Sequence, residues 1–126
     1  KRLSGGSILL WVHIADVGYY VPWDSPLDEE ARARGTSVYF PDRVIPMLPK
    51  ELSNGICSLN PREDRLAVTM EMEFDREGNR IRYDFYDSEI NSNERMTYTS
   101  VKKILQGDTE ETGRNRAGGH WKLHNP

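Results

Sequence analysis

Leu66, Val68, Met70, Met72 and Phe74 alternate with Ala67, Thr69, Glu71 and Glu73. Period-two patterning of this length belongs to a strand, because only there do residues i, i+2 and i+4 share one face. Asp75 to Asn79 follows as turn chemistry, with Gly78 free to take positive φ. Apolar residues then resume at Ile81, Tyr83 and Phe85. An antiparallel hairpin is the reading. The return strand changes phase to Tyr86, Ser88 and Ile90, which predicts a β-bulge between its two halves.

The rest of the chain must fit around that hairpin. Ile8 to Ala15 is almost continuously apolar and rich in β-branched residues, the pattern of a buried strand. Ser4-Gly5-Gly6-Ser7 is a turn, so Lys1 to Leu3 reads as the end of a preceding strand. Ser25 can cap a helix, Pro26 suits its first position, and Asp28 to Glu30 favour the positive end of the dipole. Gly35 ends it, after Arg32 and Arg34. A short strand at Thr36 to Phe40 is closed by Pro41. Pro41, Pro46 and Pro49 predict a stiff, extended connection with no regular structure. One or two helical turns follow from Pro49 to Leu52, stopped by Asn54-Gly55. A last helix runs from Thr97 as N-cap to Leu105, with Val101, Ile104 and Leu105 as its apolar stripe. The fold class is α+β: a mixed, largely antiparallel sheet with a few short helices.

Composition bounds the partners. The 126 residues are 37% hydrophobic and 29% charged, with a formal net charge of −3. One domain is the natural content of such a length. The longest apolar run, Ile8 to Val12, is far too short for a membrane span, so no membrane partner is expected. A single cysteine, Cys57, cannot form an internal disulfide, and the default setting is reducing and cytoplasmic. From Gln106 onward only Ala117, Trp121 and Leu123 are hydrophobic, and residues 106–126 read as a polar, disordered tail.

Candidate chemistry is sparse. Glu71 and Glu73 share a strand face about 7 Å apart, where cross-strand ion pairing to Arg80 and Arg82 explains them better than acid–base work does. Asp24, Asp28, Glu29 and Glu30 are accounted for by the helix start. His13 and Asp16 fall on opposite faces of a continuing strand, so His13 reads as structural. Cys57 reads as buried and inert. No phosphate-cradling loop is present. Aromatics are more pointed: Tyr39, Tyr98, Tyr19, Tyr20 and Trp23 lie near turns or element ends, with Arg34, Arg43 and Arg62 scattered among them. Exposed rings beside cations suit single-stranded nucleic acid; the competing reading packs most of these rings into the core.

The stretch Gly35-Thr36-Ser37-Val38-Tyr39-Phe40-Pro41-Asp42-Arg43-Val44-Ile45-Pro46-Met47-Leu48-Pro49 resembles the catalytic (RNB) domain of the ribonuclease II / ribonuclease R exoribonuclease family. So do Leu52 to Pro61, Val12-His13-Ile14-Ala15-Asp16-Val17, Ser25-Pro26-Leu27-Asp28 and Met96-Thr97-Tyr98. The likeness covers about four fifths of the chain, and Gly-Thr-Ser-Val-Tyr leans toward the R type. It implies an internal fragment, residues 1–105, of a magnesium-dependent enzyme. That enzyme hydrolyses single-stranded RNA processively from the 3′ end to nucleoside 5′-monophosphates. By the same likeness Tyr39 resembles the tyrosine that packs on bases near the scissile end. Tyr98 resembles the one that sets the 3′ nucleotide.

The family's aspartate cluster, which holds Mg2+, belongs upstream of Lys1, and its catalytic arginine belongs after Leu105. Asp16 matches no family ligand. The expectation is therefore no catalytic residue, metal ligand or cofactor in this fragment, and an inactive isolated chain. Residues 113–126 do not resemble the family and read as vector-derived or out-of-frame. The alternative function is a non-catalytic RNA-binding or protein-interaction module that kept the fold. A piece of a larger domain should also expose apolar surface and strand edges that favour self-association.

Overall fold

The computed structural model describes residues 1–110; the greater part of the expected polar tail lies outside them. Its centre is a three-stranded antiparallel sheet. Strand β1 (Ile8–Ala15) and the hairpin strands, which the alternation predicts and which form here as β4 (Asp64–Phe74) and β5 (Arg80–Asn91), lie in the order β1-β4-β5. β4 pairs on one side from Ala67 to Phe74 with β1, and on the other along its whole length with β5. The turn forms as expected: Asp75 accepts from the Glu77 and Asn79 amides at 3.0 and 2.8 Å, and Gly78 takes φ +89°. Lys1 to Leu3 returns along the start of β1, with Leu9 N donating to Lys1 O at 2.8 Å and Arg2 bridging Ile8.

Helix α2 (Pro26–Arg34) carries the features its sequence requires. Ser25 accepts from the Asp28 amide at 3.3 Å, Pro26 occupies the first turn, and Gly35 closes the helix at φ +71°. A side chain at that left-handed position would be strained. Arg32 bridges Asp24 and Asp28, and Arg34 pairs with Glu30 one turn back. Helix α3 (Tyr98–Leu105) starts at Thr97, whose hydroxyl accepts from the Ser100 amide at 3.1 Å.

Five expectations are corrected. β1 is not buried on both faces: Ile8, Leu10, Val12 and Ile14 are exposed, because no helix covers that side among the described residues. The proline-rich connection is not wholly irregular. Val44–Ile45 (β3) pairs with Val38–Tyr39 (β2), since neither β3 residue is a proline and both keep their N–H groups. The turn after Pro49 does not stop at Asn54-Gly55 but continues as a π-helical segment, Glu51–Ile56, in which Gly55 absorbs a non-helical bend. The bulge lies at the hairpin end, opposite Glu73 and Phe74, while Tyr83 to Asn91 keep register; the change of phase at Tyr86 exchanges which face is polar. The stripe on α3 is only partly packed: Ile104 is half-buried, but Val101 is exposed and Leu105 is 83% exposed. A short helix α1 (Val17–Tyr20), capped by Asp16, was not foreseen.

Removing the Ser25 hydroxyl leaves an N-terminal amide of α2 without its acceptor. Ser25→Ala is expected to destabilise that helix by about 1 kcal/mol. Hydrogen exchange of the α2 amides should accelerate several-fold while exchange in β4 is unchanged.

Candidate nucleic-acid interface

The two sheet faces differ in chemistry. One carries Trp11, His13, Thr69, Glu71, Glu73, Arg82, Tyr86 and Ser88, joined by hydrogen bonds. Trp11 Nε1 donates to Glu71 Oε2 at 2.7 Å, Ser7 Oγ donates to Glu73 Oε1 at 2.8 Å, and Arg82 reaches both carboxylates at 3.1 and 2.8 Å. Beside them His13 Nδ1 meets Thr69 Oγ1 at 2.7 Å, Thr69 meets Ser88, and Ser88 Oγ donates to Ala67 O at 3.1 Å. Thr69 is fully buried and Ser88 nearly so. Buried hydroxyls are tolerated when every one finds a partner.

Electrostatics follows from these contacts. Arg82, then Ser7, hold the Glu73 carboxyl below its ordinary value by hydrogen bonding. Burial lowers the His13 imidazole below 6.5, which favours the neutral ring. The Cys57 thiol is pushed up by burial first and the Asp16 charge second, against Arg65. It is half-buried rather than buried, and the upward shift disfavours the thiolate. Ion pairing of Glu71 and Glu73 is as expected for Arg82, but Arg80 instead stacks over the Tyr83 ring, 4.6 Å from its centroid. This polar network was invisible in the alternation, which assigns the small residues Ala67 and Thr69 to the solvent side. Their small size beside Trp11 is the signal that could have found it.

The sequence-predicted site residues lie away from this face. Tyr39 ends β2 and is 77% exposed. Its hairpin is pinned by Phe40 N to Arg43 O at 2.8 Å and by Met47 N to Ser37 Oγ at 2.9 Å. Arg43 neighbours Val44, the cross-strand partner of Tyr39, and its guanidinium lies 5.0 Å from the Phe40 centroid. Tyr98 is the first residue of α3 and is 98% exposed. Core packing is therefore wrong for both, and for the exposed Tyr19 and Trp23. Of the arginines, Arg43 shares the Tyr39 hairpin but pairs with Asp42 at 3.3 Å and lies over Phe40, Arg34 is held by Glu30 and Pro46 O, and Arg62 lies at the far end of the sheet, its amide on Ser92 O. Among the described residues no three His, Cys, Asp or Glu side chains gather as a metal site, and Asp16 is spent on the Tyr19 amide at 3.1 Å. These residues do not fit a magnesium ion.

The pattern of the RNB domain matches residues 1–123. The chain belongs to the RNB domain family. The match runs on past Leu105, where composition had set the tail apart. Ribonuclease R of Escherichia coli K12 is 58% identical over 110 residues, covering 87% of this chain and 14% of that protein. RNase R of Mycoplasma genitalium has been solved in complex with double-stranded RNA and with ribose-methylated single-stranded RNA. It superposes with a TM-score of 0.80 at 41% identity, covering 84% of this chain and 19% or 16% of those chains. Yeast Ssd1, a pseudonuclease, shares the fold at 22% identity and a TM-score of 0.74, covering 84% of this chain and 13% of that one. The RNB-family chain thus spans about one seventh of the length of its Escherichia coli relative. Among its described residues no helix is long and apolar enough to cross a membrane.

Two variants test the polar face. Unfolding must protonate His13 in acid, whereas the fold resists it. Stability present above pH 6.5 should fall as pH drops through the lowered folded value, and His13→Asn should flatten that limb of a urea-denaturation pH series. A later loss below the ordinary glutamate value of 4.5 should remain, from Glu73. Thr69→Val strands the Ser88 and His13 partners and should cost about 1–3 kcal/mol in the same measurement.

Proposed function

We propose that this chain is part of a ribonuclease R-type exoribonuclease and supplies stacking surfaces for single-stranded RNA at Tyr39 and Tyr98. The observation that carries the reading is their exposure, 77% and 98%, in a chain of the RNB domain family. A polymerised substrate of any sequence needs contacts that every base can satisfy. A tyrosine ring offers its face to all four, and stacking contributes about 1–3 kcal/mol per base. Arg43 belongs to the same hairpin, where its exposed ion pair with Asp42 can give way to a backbone phosphate. The complexes of the Mycoplasma genitalium relative with RNA support RNA as the ligand class.

The chemistry assigned to the whole enzyme is hydrolysis from the 3′ end, processive, releasing nucleoside 5′-monophosphates in the cytoplasm. Magnesium would supply charge neutralisation and an activated water, held by carboxylates other than those described here. This chain's own contribution is to bind and orient the strand, and by itself it is inactive.

A second reading rests on the pseudonuclease that shares the fold: an RNB module that binds without cutting. The longer reading frame separates the two, since the enzyme requires an aspartate cluster upstream of Lys1.

Tyr39→Ala and Tyr98→Ala in the full chain should each weaken binding of a fluorescein-labelled single-stranded oligoribonucleotide by about 5- to 100-fold. Unchanged anisotropy titrations in both variants would return the rings to a structural role. Incubated with magnesium and 3′-end-labelled RNA, the chain alone should release no labelled mononucleotide; a ladder of shortened products would overturn its inactivity.

A further inference from the structure

The hairpin that presents Tyr39 has little of its own to hold it in place. β2 and β3 are two residues each and form a sheet separate from β1-β4-β5. A lone two-stranded hairpin is marginal in water. The chain enters it from α2 through Gly35, which sits at φ +71° and is freer to swing than any other residue type. Among the described residues, packing at this junction is incomplete. A cavity of about 200 Å³ lies between Leu27 and Glu30 of α2 and the segment Pro46 to Pro49.

Polar contacts span the junction instead. In the last turn of α2, Arg34 Nε donates to Glu30 Oε1 at 2.8 Å, and Arg34 Nη1 donates to Pro46 O at 3.3 Å. Ser37 Oγ accepts from the Met47 amide at 2.9 Å. Pro46 and Met47 directly follow β3, and Ser37 directly precedes β2. Two successive residues of the return limb are thus tied down, one to the helix and one to the hairpin's own start. A guanidinium is a rigid planar fork, so the carboxylate on Nε aims Nη1 at the carbonyl, a geometry that the single ammonium of lysine does not reproduce. An exposed ion pair of this kind adds little to global stability. Its consequence is local.

We propose that Arg34, aimed by Glu30, and Ser37 are positioning residues for Tyr39: they lock the hairpin to α2 and hold the ring ready for a base. A ring held in its binding position loses less freedom when RNA arrives. The inference rests on the stacking role given to Tyr39, and it involves no contact between Arg34 and RNA.

Charge and position predict different outcomes. In the full chain, R34K keeps the cation, S37A changes no charge, and E30A removes an anion that would repel RNA. Each should nevertheless weaken binding of a fluorescein-labelled single-stranded oligoribonucleotide by about fivefold, the scale of one hydrogen bond. That loss should vanish in a Y39A background and persist in a Y98A background. Without RNA, hydrogen exchange in peptides spanning residues 36–48 should accelerate in all three variants, with β4 unchanged. R34K binding as tightly as the parent, E30A binding more tightly, or losses that persist in Y39A would each overturn the positioning role. Unaltered hairpin exchange would overturn it whatever the RNA result. Accelerated exchange supports the clamp even where Y39A itself binds normally, a result that would overturn only the stacking role of Tyr39.

Discussion

Pairing of β4 on both of its edges is the constraint on which everything else rests. It gives its backbone donors and acceptors to β1 on one side and β5 on the other. Because side chains alternate along a strand, the register of that one strand decides which residues of all three share a face. A slip of one residue would put Thr69 and Glu71 among Leu10 and Phe85 and break the polar network.

The two faces are stabilised differently. On the polar side, carboxylates, hydroxyls, an indole and an imidazole satisfy one another, and the Thr69–Ser88 pair is buried because both hydroxyls have partners. Low local dielectric strengthens such bonds and penalises any one that is lost. On the other side, burial of apolar surface is incomplete among the described residues, and the strands are held mainly by the ladder itself.

The candidate RNA-contacting rings are placed by local devices rather than by the sheet. Tyr39 is presented by a short hairpin of two-residue strands pinned at Phe40 and Ser37, and Tyr98 by the Thr97 cap of α3. The family likeness points to both tyrosines; their exposure is what makes contact with a strand physically accessible.

Local rules made much of the fold legible. The alternation at Leu66 to Phe74, the Asp75–Asn79 turn, the Ser25 and Thr97 caps and the Gly35 stop all act over a few residues, so their consequences can be read in one dimension. The order of motifs around Tyr39 and Tyr98 likewise carried the family. Burial could not be read in the same way. Ile8 to Ala15 has the composition of a core strand, yet one side of it meets solvent. Ala67 and Thr69 look like an outer face, yet they are among the most buried residues. Which side of a strand is covered depends on elements distant in sequence. Strand character was therefore determined by these residues alone, while the division into a polar network and an open apolar face was decided only when β1, β4 and β5 came together.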